Sequence, residues 1–459
     1  MSALEQAREM FSGRRVGVVG LAREGLALSR FLLSVGAEVV ATDDRPLEAL
    51  SPEARILAQG DITVLAGGLA EAVLEASYLF VSPGVPLELP LLGRARAAGL
   101  PLWNEPGLLL ALCPAATFGV TGSSGKSTTA SLAAAILRED DGRAYLGGNI
   151  GQPLIEKVGG MAPGDRVVLE LSSFQLELVR HSPRYALVTN ITPNHLDRHA
   201  TMDAYVEAKR GIYCHQQRDG LLVLNADDEW SERLATEAPG QVAWFSTGSE
   251  VAQGACLDGD EVVLCAGAAR ERVCRTGDLR LRGEHNVANV LAAAALTHAA
   301  GVRTEAIRAA VTSFAGLAHR LELVAAVEGV TYVNDSIATT PERSAAGLRA
   351  IETPIILLAG GRDKHLPWEG WIEEARQRAK SVVVFGEVGR MLVRRLAEAG
   401  VAVSAAGTMR EAVNLARELA GPGDTVLLSP GGTSFDEFRD FEERGNRFRD
   451  WVLSMGRRT

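Results

Sequence analysis

Short apolar runs alternate with amphipathic stretches over the first hundred residues. RRVGVVG and AEVVATDD have the pattern of buried strands, and LALSRFLLSVG between them has the spacing of an amphipathic helix that ends at a glycine. ITVLAG and ASYLFVSPG continue the alternation, and a linker-like segment, LPLWNEPG, follows. Because strands that alternate with helices form parallel sheets, this region is predicted to be a small α/β domain.

Two further regions have strand patterns of the same kind. In the second, AATFGVTG, RVVLELSS and YALVTNITP are predicted strands. From Gly220 onward, LLVLNADD, QVAWFSTG, GACLDGDEVVLCAG and RVCRTGDLRL predict a hairpin-rich insert, and a helix, EHNVANVLAAAALTHAAG, follows it. From about Leu317, the strands VTYVNDS, PIILLAGG, SVVVFG, VAVSAAG and DTVLLSPGG alternate with helices. The chain is therefore predicted to be an α/β protein of three domains, 1–104, 105–316 and 317–459, the last with a doubly wound sheet.

Composition argues against several classes of protein. The 459 residues carry a formal net charge of −10, which argues against nucleic acid as the main partner. The five cysteines form no close C-x-x-C pair, so we expect neither a disulfide framework nor a zinc ribbon. The N-terminus lacks the apolar core of a signal peptide, and no apolar run approaches the ~20 residues of a membrane span. We therefore expect a cytoplasmic protein with no membrane partner.

The segment VTGSSGKSTTASLAAAIL has the strongest chemical signal in the chain. Gly122 and Gly125 allow the backbone to turn tightly and to direct its N–H groups inward. The helix that follows adds the partial positive charge of its N-terminus. Lys126 can reach a β- or γ-phosphate, and the hydroxyl of Ser127 or Thr128 can bind Mg²⁺. The segment therefore predicts a phosphate-binding loop.

The loop alone leaves several functions open. The strict phosphate-loop pattern has glycine at position 120, where this chain has Val120, and an ordinary turn between a strand and a helix is the alternative. A phosphate loop could serve a kinase, a GTPase, a motor or a ligase. Glu170 ends a neighbouring strand, which is where a second Mg²⁺ ligand belongs. Taken alone, His195 would be interpreted as a structural histidine, and Lys209 as a solvated lysine on a helix.

Four segments in order resemble the central domain of the Mur ligase family, which also includes the folylpolyglutamate synthases: GSSGKST, LELSSFQLE, NITPNHLDRH and AKRGIY. The resemblance extends over nearly the whole chain. It implies a Rossmann-like N-terminal domain for a UDP-linked substrate, a central P-loop ATPase domain and a Rossmann-like C-terminal domain for the incoming amino acid. It also implies ATP-dependent amide formation, in which the γ-phosphoryl group activates a substrate carboxylate as an acyl phosphate.

The resemblance also implies nucleotide-binding and metal-binding residues. The predicted ATP-binding residues are Gly122, Ser123, Ser124, Gly125, Lys126, Ser127, Thr128, Asn289, Arg320 and Asp335; Ser124 stands where the family usually has asparagine. Two Mg²⁺ ions are implied, with ligands Ser127, Glu170, His195 and Lys209, the last as a carbamate. The implied catalytic residues are Lys126, Glu170, His195, Lys209 and Arg320. His195 and the carbamate are both candidates for the base that deprotonates the amine.

The first loop of the chain, GVVGLAREGLALS, has Ala22 where a dinucleotide fingerprint has glycine, so it is a weak signal for NAD. An NAD-dependent oxidoreductase is for this reason only a weak alternative to the ligase activity. The resemblance instead implies a UDP site. Its predicted residues are Gly20, Leu21, Arg23, Asp43, Asp44, Arg45, Ser82, Gly84 and Asn149.

The C-terminal segments VTYVNDSIATTPERS, GGRDKHLPW and SPGGTSFDEFRDFEERGNRF resemble the branch of the family that adds D-glutamate to UDP-N-acetylmuramoyl-L-alanine. The resemblance implies that Thr339 and Lys364 face one carboxylate of D-glutamate, and that Ser434 and the region of Phe441 face the other. The implied partners are thus three small molecules, the UDP-linked substrate, D-glutamate and ATP, and we expect a monomer.

One position departs from the family pattern. Ile337 stands where many members have lysine, so either Arg320 and Lys126 suffice, or Arg343 or Arg362 replaces the missing cation. Two alternatives to the predicted activity stay open at this point. One is a member of the family that adds a different amino acid, and the other is a nucleotide-binding relative that has lost turnover.

Overall fold

The computed structural model describes residues 1–140, 142–194, 196–281, 283–364 and 366–455. The described chain forms two compact units, Met1–Phe314 and Ala315–Thr459, called here the first and the second unit. The first unit contains two sheets and the second unit contains a third. No helix in the described ranges combines the length and the apolar character that crossing a membrane would require.

The first sheet is parallel throughout, as the alternating pattern predicts. Its strands are β1 (Arg15–Val19), β2 (Glu38–Asp43), β3 (Thr63–Ala66), β4 (Tyr78–Val81) and β5 (Leu102–Trp103), in the order β3-β2-β1-β4-β5. The helices of this region are α1 (Ala3–Phe11), α2 (Arg23–Ser34), α3 (Pro52–Leu57), α4 (Pro90–Ala97) and α5 (Glu105–Leu112). The last four residues of β1 are buried, because helices cover both faces of a parallel sheet.

The central sheet has nine strands. They are β6 (Ala116–Thr121), β7 (Ala144–Gly148), β8 (Arg166–Glu170), β9 (Tyr185–Val188), β10 (Leu221–Asn225), β11 (Gln241–Ser246), β12 (Gln253–Asp258), β13 (Glu261–Ala266) and β14 (Ala269–Arg275). The order is β14-β13-β12-β11-β10-β9-β6-β8-β7. The helices are α6 (Lys126–Glu139), α7 (Ser173–Leu176), α8 (Leu196–His199), α9 (Met202–Arg210), α10 (Ser231–Glu237), α11 (Glu284–Ala299) and α12 (Thr304–Ser313).

The hairpin-rich insert is smaller than the sequence predicts. Among the described strands of this insert, antiparallel ladders join only β12 to β13 and β13 to β14. The prediction is wrong for β10 and β11, which pair in parallel and continue the central sheet from β9. The physical reason is that α10 lies between them, so the chain returns to the starting edge instead of reversing through a tight turn.

The third sheet has the doubly wound pattern that the sequence predicts. Its strands are β15 (Glu322–Val327), β16 (Val330–Asn334), β17 (Ile355–Gly360), β18 (Ala379–Phe385), β19 (Val403–Ala405) and β20 (Thr425–Gly431), in the order β15-β16-β20-β17-β18-β19. The helices are α13 (Pro341–Arg349), α14 (Glu369–Arg378), α15 (Gly386–Glu398), α16 (Met409–Leu419) and α17 (Phe441–Met455). The sequence did not predict β15, an antiparallel edge strand whose residues are partly exposed.

Candidate active site

The phosphate loop joins β6 to α6 and is held in a conformation that requires glycine. Gly122 and Gly125 have φ values of 147° and 76°, in the region that residues with a Cβ atom rarely adopt. A Cβ on Gly122 would lie 1.9 Å from Thr189 Oγ1, and one on Gly125 would lie 2.3 Å from Asn289 Oδ1. The loop therefore needs glycine both for its turn and for its close neighbours.

The residues after β9 anchor this loop. The side chain of Thr189 donates a hydrogen bond to the Ser124 carbonyl at 2.6 Å, and Asn190 Oδ1 accepts from the Ser124 backbone N–H at 3.0 Å. Ser123 Oγ donates to the Thr192 carbonyl at 2.9 Å. These anchors were not among the predicted site residues, although the NITP segment at the end of a predicted strand was the available signal.

Two lysines converge on one carbonyl oxygen of the loop. Lys126 Nζ and Lys209 Nζ donate to the Gly122 carbonyl at 2.9 Å and 3.0 Å, and Lys126 also donates to the Ser123 carbonyl at 3.0 Å. Lys209 is 1% exposed, and its Nζ lies 4.3 Å from the centre of the Tyr205 ring. Burial, and then the charge of Lys126, hold the pKa of Lys209 well below its ordinary value. The structure thus brings together two of the predicted catalytic residues, and it corrects the view of Lys209 as a solvated lysine.

Glu170 ends β8 beside the loop, and it is 1% exposed. Its Oε1 accepts a hydrogen bond from Asn149 Nδ2 at 2.9 Å, whereas its Oε2 has no hydrogen-bond partner among the described residues. A buried carboxylate oxygen with no donor is costly, and a hard cation would satisfy it.

The side chains in this region could bind Mg²⁺ only if a carboxylate, a hydroxyl and a modified lysine act together. Among the described residues, no three His, Cys, Asp or Glu side chains lie together as a metal cluster. The orphaned oxygen of Glu170, the half-buried hydroxyl of Ser127 in the first turn of α6 and a carbamate on Lys209 would supply oxygen ligands. His195, the other predicted ligand, lies outside the described residues.

Asn289 packs against the loop from α11. Its Oδ1 accepts from Thr129 Oγ1 at 3.2 Å, and its Nδ2 donates to Asn286 Oδ1 at 3.1 Å. The contact with Thr129 joins α11 to the first turns of α6, and the contact with Asn286 lies within α11. The predicted contact of Asn289 with adenine stays a prediction.

A separate cavity of about 430 Å³ lies where β1, β2 and β4 end. Nearly all the residues predicted for the UDP site line it: Gly20, Arg23, Asp43, Asp44, Arg45, Ser82, Gly84 and Asn149. The remaining one, Leu21, is buried beside it, and its backbone N–H donates to Asp43 Oδ2 at 2.8 Å. The carboxyl ends of strands in an open parallel sheet are where ligands of such folds bind.

Asp43 is an ionised carboxylate in the wall of this cavity. Burial opposes its charge, but hydrogen bonds from the Arg45 guanidinium and from the backbone N–H of Leu21 outweigh burial and lower the pKa of Asp43 to about 2. Arg45 binds Asp43 in a bidentate manner, with Nε–Oδ1 and Nη2–Oδ2 distances of 2.9 Å. The pair fixes both side chains and leaves the second carboxylate, Asp44, exposed at the rim.

Arg23 connects the cavity to the loop that follows β7. Its guanidinium donates to the Gly151 carbonyl at 2.7 Å and to the Asn149 carbonyl at 3.3 Å. Because the Asn149 side chain also holds Glu170, a continuous set of hydrogen bonds runs from the cavity to the proposed metal ligand. The structure therefore gives Arg23 a positioning role in addition to its predicted contact with the substrate.

Two buried carboxyl groups act on each other in the first unit, Glu105 and Glu24. Glu105, the first residue of α5, accepts hydrogen bonds at Oε1 from the backbone N–H groups of Leu154 and Ile155, both at 3.0 Å. Its Oε2 has no partner among the described residues, and burial raises the pKa of Glu105 to about 7. The other, Glu24, lies in the first turn of α2 and lines the cavity.

The pKa of Glu105 predicts a loss of stability as the pH rises. Because its pKa is about 7 in the folded chain against an ordinary value of 4.5, the folded state holds a proton that the unfolded state releases between these values. The free energy of unfolding should fall by about 3 kcal/mol across that window. We expect the Tm of the wild type to decrease between pH 5.5 and pH 8.0 more than the Tm of Glu105→Gln, as measured by calorimetry. Glu9→Gln, at an exposed position, is the control, and parallel curves for all three proteins would contradict the prediction.

In the second unit, Lys364 and Thr339, which are predicted to face the same carboxylate, lie in contact. Lys364 Nζ donates to Thr339 Oγ1 at 3.3 Å. Burial, and then the charges of Arg343 and Arg444, lower the pKa of Lys364. Several cations therefore act on this region, which suits a ligand with more than one carboxylate.

Arg444 is a buried arginine that was not among the predicted residues and that joins two of the predicted segments. It is 0% exposed on α17, and its guanidinium donates to Ser336 Oγ at 3.0 Å, to the Ser336 carbonyl at 2.8 Å and to the Gly432 carbonyl at 3.1 Å. Ser336 Oγ in turn donates to the carbonyl of Phe441 at 2.8 Å. Arg444 thus connects the segment before Thr339 with the segment before Ser434. Thr339 and Ser434 are both predicted to contact the amino acid.

Arg320 and Asp335 lie on neighbouring segments of the same unit. Asp335 accepts from Ser429 Oγ at 2.8 Å and from the Leu321 backbone N–H at 3.3 Å, and burial raises its pKa to about 7. Arg320 is exposed, and the residues on either side of it, His319 and Leu321, have φ values of 65° and 45°. Backbone strain of this kind often accompanies functional segments.

The structure also indicates which residue could replace the positive charge that is missing at Ile337. Arg362 forms a bidentate pair with Glu387, with distances of 3.0 Å and 2.8 Å. Arg343 makes no ion pair in the described part of the chain, and its charge acts on both Asp335 and Lys364. Of the two candidates, Arg343 is therefore the better placed to supply positive charge.

A strand, a glycine-rich loop and a helix with a lysine at its first position, next to a buried carboxylate, define a P-loop nucleotide-binding protein. Comparison with known proteins narrows this class. Three family models match consecutive parts of the chain: the Mur ligase MurD-like N-terminal domain at residues 14–104, the Mur ligase middle domain at 120–297 and the Mur ligase glutamate ligase domain at 319–432. The chain belongs to the Mur ligase family, and it has the three-domain architecture of that family.

Curated relatives are similar over nearly their whole length. The UDP-N-acetylmuramoylalanine–D-glutamate ligase of Symbiobacterium thermophilum is 42% identical over 96% of this chain and 98% of its own, and that of Acidobacterium capsulatum is 41% identical over 96% of each chain. Among solved structures, the UDP-N-acetylmuramate-alanine ligase MurC of Thermotoga maritima has a TM-score of 0.58 at 19% identity, over 96% of this chain and 99% of its own. That structure supports the fold alone.

Proposed function

We propose that this chain uses ATP to join D-glutamate to UDP-N-acetylmuramoyl-L-alanine through an acyl phosphate. The observation that carries the proposal is the position of Asn149. It lines the cavity of the predicted UDP site, and its side chain holds Glu170 beside the phosphate loop. A substrate bound in this cavity would therefore lie next to the groups that bind the phosphates of ATP.

The need for ATP follows from the chemistry of the substrate. A carboxylate is a poor electrophile because an amine cannot expel oxide at neutral pH. Transfer of the γ-phosphoryl group of ATP to the L-alanyl carboxylate creates a leaving group, and the amine of D-glutamate then attacks the acyl carbon. The tetrahedral intermediate releases phosphate and leaves an amide.

The residues of the loop serve this reaction by position and charge. The backbone N–H groups of the loop and the N-terminus of α6 face the phosphates, and Lys126 neutralises charge that develops on the transferred group. Ser127, Glu170 and a carbamylated Lys209 would hold Mg²⁺. When bound, that ion would neutralise phosphate charge and orient the γ-phosphoryl group. His195 and the carbamate remain the candidate bases, and Arg320 and Asp335 the further candidates for contact with the nucleotide.

The second unit is proposed to bind the amino acid. Lys364 and Thr339 would take one carboxylate of D-glutamate, and Ser434 with the backbone near Phe441 would take the other. The positive charges of Arg343 and Arg444 act on Lys364 and favour a dicarboxylate over a diamino acid. Since ATP is a cytoplasmic substrate, the proposed compartment is the cytoplasm, and the proposed active form is the monomer.

Lys364→Ala should weaken D-glutamate binding more than it slows turnover. Loss of a charge-assisted hydrogen bond costs about 1.5–3 kcal/mol, so the KM for D-glutamate should rise by about 10- to 100-fold. Steady-state phosphate release at varied D-glutamate measures this value. Lys380→Ala, which removes an exposed lysine paired with Asp424 in the same unit, is the matched control. An unchanged KM for Lys364→Ala would remove Lys364 from the proposed pocket.

A substrate panel tests the proposed function directly. Purified protein is incubated with ATP, Mg²⁺ and UDP-N-acetylmuramoyl-L-alanine, and phosphate release is followed with D-glutamate, L-glutamate, L-lysine or diaminopimelate. We expect release only with D-glutamate, together with a new amide product detected by mass spectrometry. Turnover with a diamino acid instead would assign the chain to a different member of the family, and no turnover with any amino acid would favour a relative without activity.

A further inference from the structure

A buried carboxyl group lies in the cavity that is proposed to bind the UDP-linked substrate. Glu24 is 7% exposed and lines this cavity from the first turn of α2. Its Oε1 accepts a hydrogen bond from Gln175 Nε2 at 2.7 Å, whereas its Oε2 has no hydrogen-bond partner among the described residues. A buried oxygen of this kind is costly as a charged acceptor, and it is less costly as a neutral acid that can donate.

The charge of Arg23 favours the ionised form of Glu24, but less than burial and the charge of Glu105 oppose it. Arg23 directs its guanidinium to the carbonyls of Asn149 and Gly151, and Arg45 is held by Asp43. Glu24 forms no ion pair in the described ranges, and the nearby charge of Glu105 disfavours its ionisation. The other titratable group of the cavity wall, Asp44, adds a further negative charge at the rim.

A diphosphate would meet two opposing effects at this position. The N-terminus of α2 attracts an anion, and Ala22, the residue before α2, provides no side-chain cap that would compete for its N–H groups. A carboxylate in the first turn of the same helix would repel the anion. Burial, and then the charge of Glu105, raise the pKa of Glu24 to about 8, so the neutral acid predominates at neutral pH.

We propose that Glu24 acts as a neutral acid in this cavity, which admits the diphosphate of the UDP-linked substrate only while this side chain keeps its proton. The inference rests on the proposed function, because the class of ligand comes from it. In the neutral form, the O–H group can donate a hydrogen bond to a phosphate oxygen, and no charge repels the ligand. After ionisation, the same side chain presents an acceptor and a negative charge to a dianion.

The test is the pH dependence of binding without ATP or Mg²⁺. The Kd of UDP-N-acetylmuramoyl-L-alanine is measured by calorimetry between pH 6.0 and pH 9.0. The diphosphate and carboxylate groups of this ligand stay ionised over the range. We expect a constant Kd up to about pH 7.5 and a value about tenfold weaker at pH 9.0, since one proton must be retained for binding. Uridine, which lacks the diphosphate, is the control for ionisation of the base, and its affinity should change much less.

Three variants assign the effect to Glu24. Glu24→Gln keeps a neutral donor, so its ratio of Kd values between pH 9.0 and pH 7.0 should equal that of the uridine control. Glu24→Ala has no donor, and at pH 7.0 it should bind more weakly than Glu24→Gln by about tenfold. Glu105→Gln removes a neighbouring charge, so the loss of affinity should begin at a lower pH than in the wild type. Thermal unfolding of each variant checks that it is folded.

The possible failures are distinguishable. If the wild type binds no UDP-linked substrate at any pH, the proposed function itself is wrong. If the wild type binds with an affinity that does not change with pH, or if Glu24→Gln shows the same loss as the wild type, the role of Glu24 is wrong and the proposed function is unaffected.

Discussion

Lys126→Met should lower the rate of ADP formation by about 10²- to 10³-fold, the cost of removing one group that stabilises developing charge. Lys126 is the first residue of α6. Its Nζ lies within the loop, 2.9 Å from the Gly122 carbonyl oxygen and 3.0 Å from the Ser123 carbonyl oxygen. Methionine keeps most of the length and the packing of the side chain but supplies neither the charge nor the hydrogen bonds. The measurement is a coupled assay of ADP release with all three substrates at saturation.

The control for this substitution is Lys157→Met, at an exposed lysine of the same unit. It should retain the wild-type rate within about twofold, as surface substitutions usually do. The affinity for the UDP-linked substrate should survive in Lys126→Met, because its cavity is lined by other residues. A rate for Lys126→Met within threefold of the wild type would show that the lysine does not act on the transferred phosphoryl group.

The parts of the fold with strong local patterns were predictable from the sequence. The strand–helix–strand segment from Arg15 to Asp43 and the phosphate loop at Gly122–Lys126 appear where the apolar periodicity and the glycines placed them. The convergence of the predicted UDP residues on one cavity was also accessible, because they follow parallel strands that end at the same edge. The parallel direction of β10 and β11 could not be predicted, since a Gly/Asp turn can precede either a hairpin or a return through a helix.

The features that the sequence did not predict depend on burial rather than on residue type. Arg444 looks like a solvated charge in a polar segment, but it lies on the helix face that also carries Phe448 and Val452, and all three are buried. This spacing was a usable signal. Glu24 has the same spacing on α2 with Leu28 and Leu32, which are also buried, so its burial could be read from the sequence. Its hydrogen bond with Gln175, which is distant in sequence, could not.

Lys209→Ala should abolish most of the activity, because Lys209 is proposed to supply a ligand of Mg²⁺. The side chain is buried, and burial and the charge of Lys126 hold the pKa of Lys209 well below its ordinary value, which increases the share of the neutral amine. A neutral amine can attack CO₂: an N–C bond forms, one C=O π bond of CO₂ becomes a C–O⁻ group, the nitrogen releases a proton, and the neutral amine becomes a carboxylate that suits a hard metal. We expect a loss of about 10²- to 10³-fold in kcat, since the bound metal contributes several kcal/mol.

The carbamate can be tested separately from the lysine, because its formation requires CO₂. Wild-type activity should fall in buffer depleted of CO₂ and return on addition of bicarbonate, and ¹³C-bicarbonate should give a carbamate signal that is absent from Lys209→Ala. Formate or acetate should restore part of the activity of Lys209→Ala, because a free carboxylate can occupy the vacated position. The same salts should not restore Lys126→Met, which keeps Lys209 intact. Wild-type activity in Lys209→Ala would exclude this lysine from the metal site, whereas inactivity without any response to CO₂ or carboxylates would limit Lys209 to its hydrogen bond with the Gly122 carbonyl.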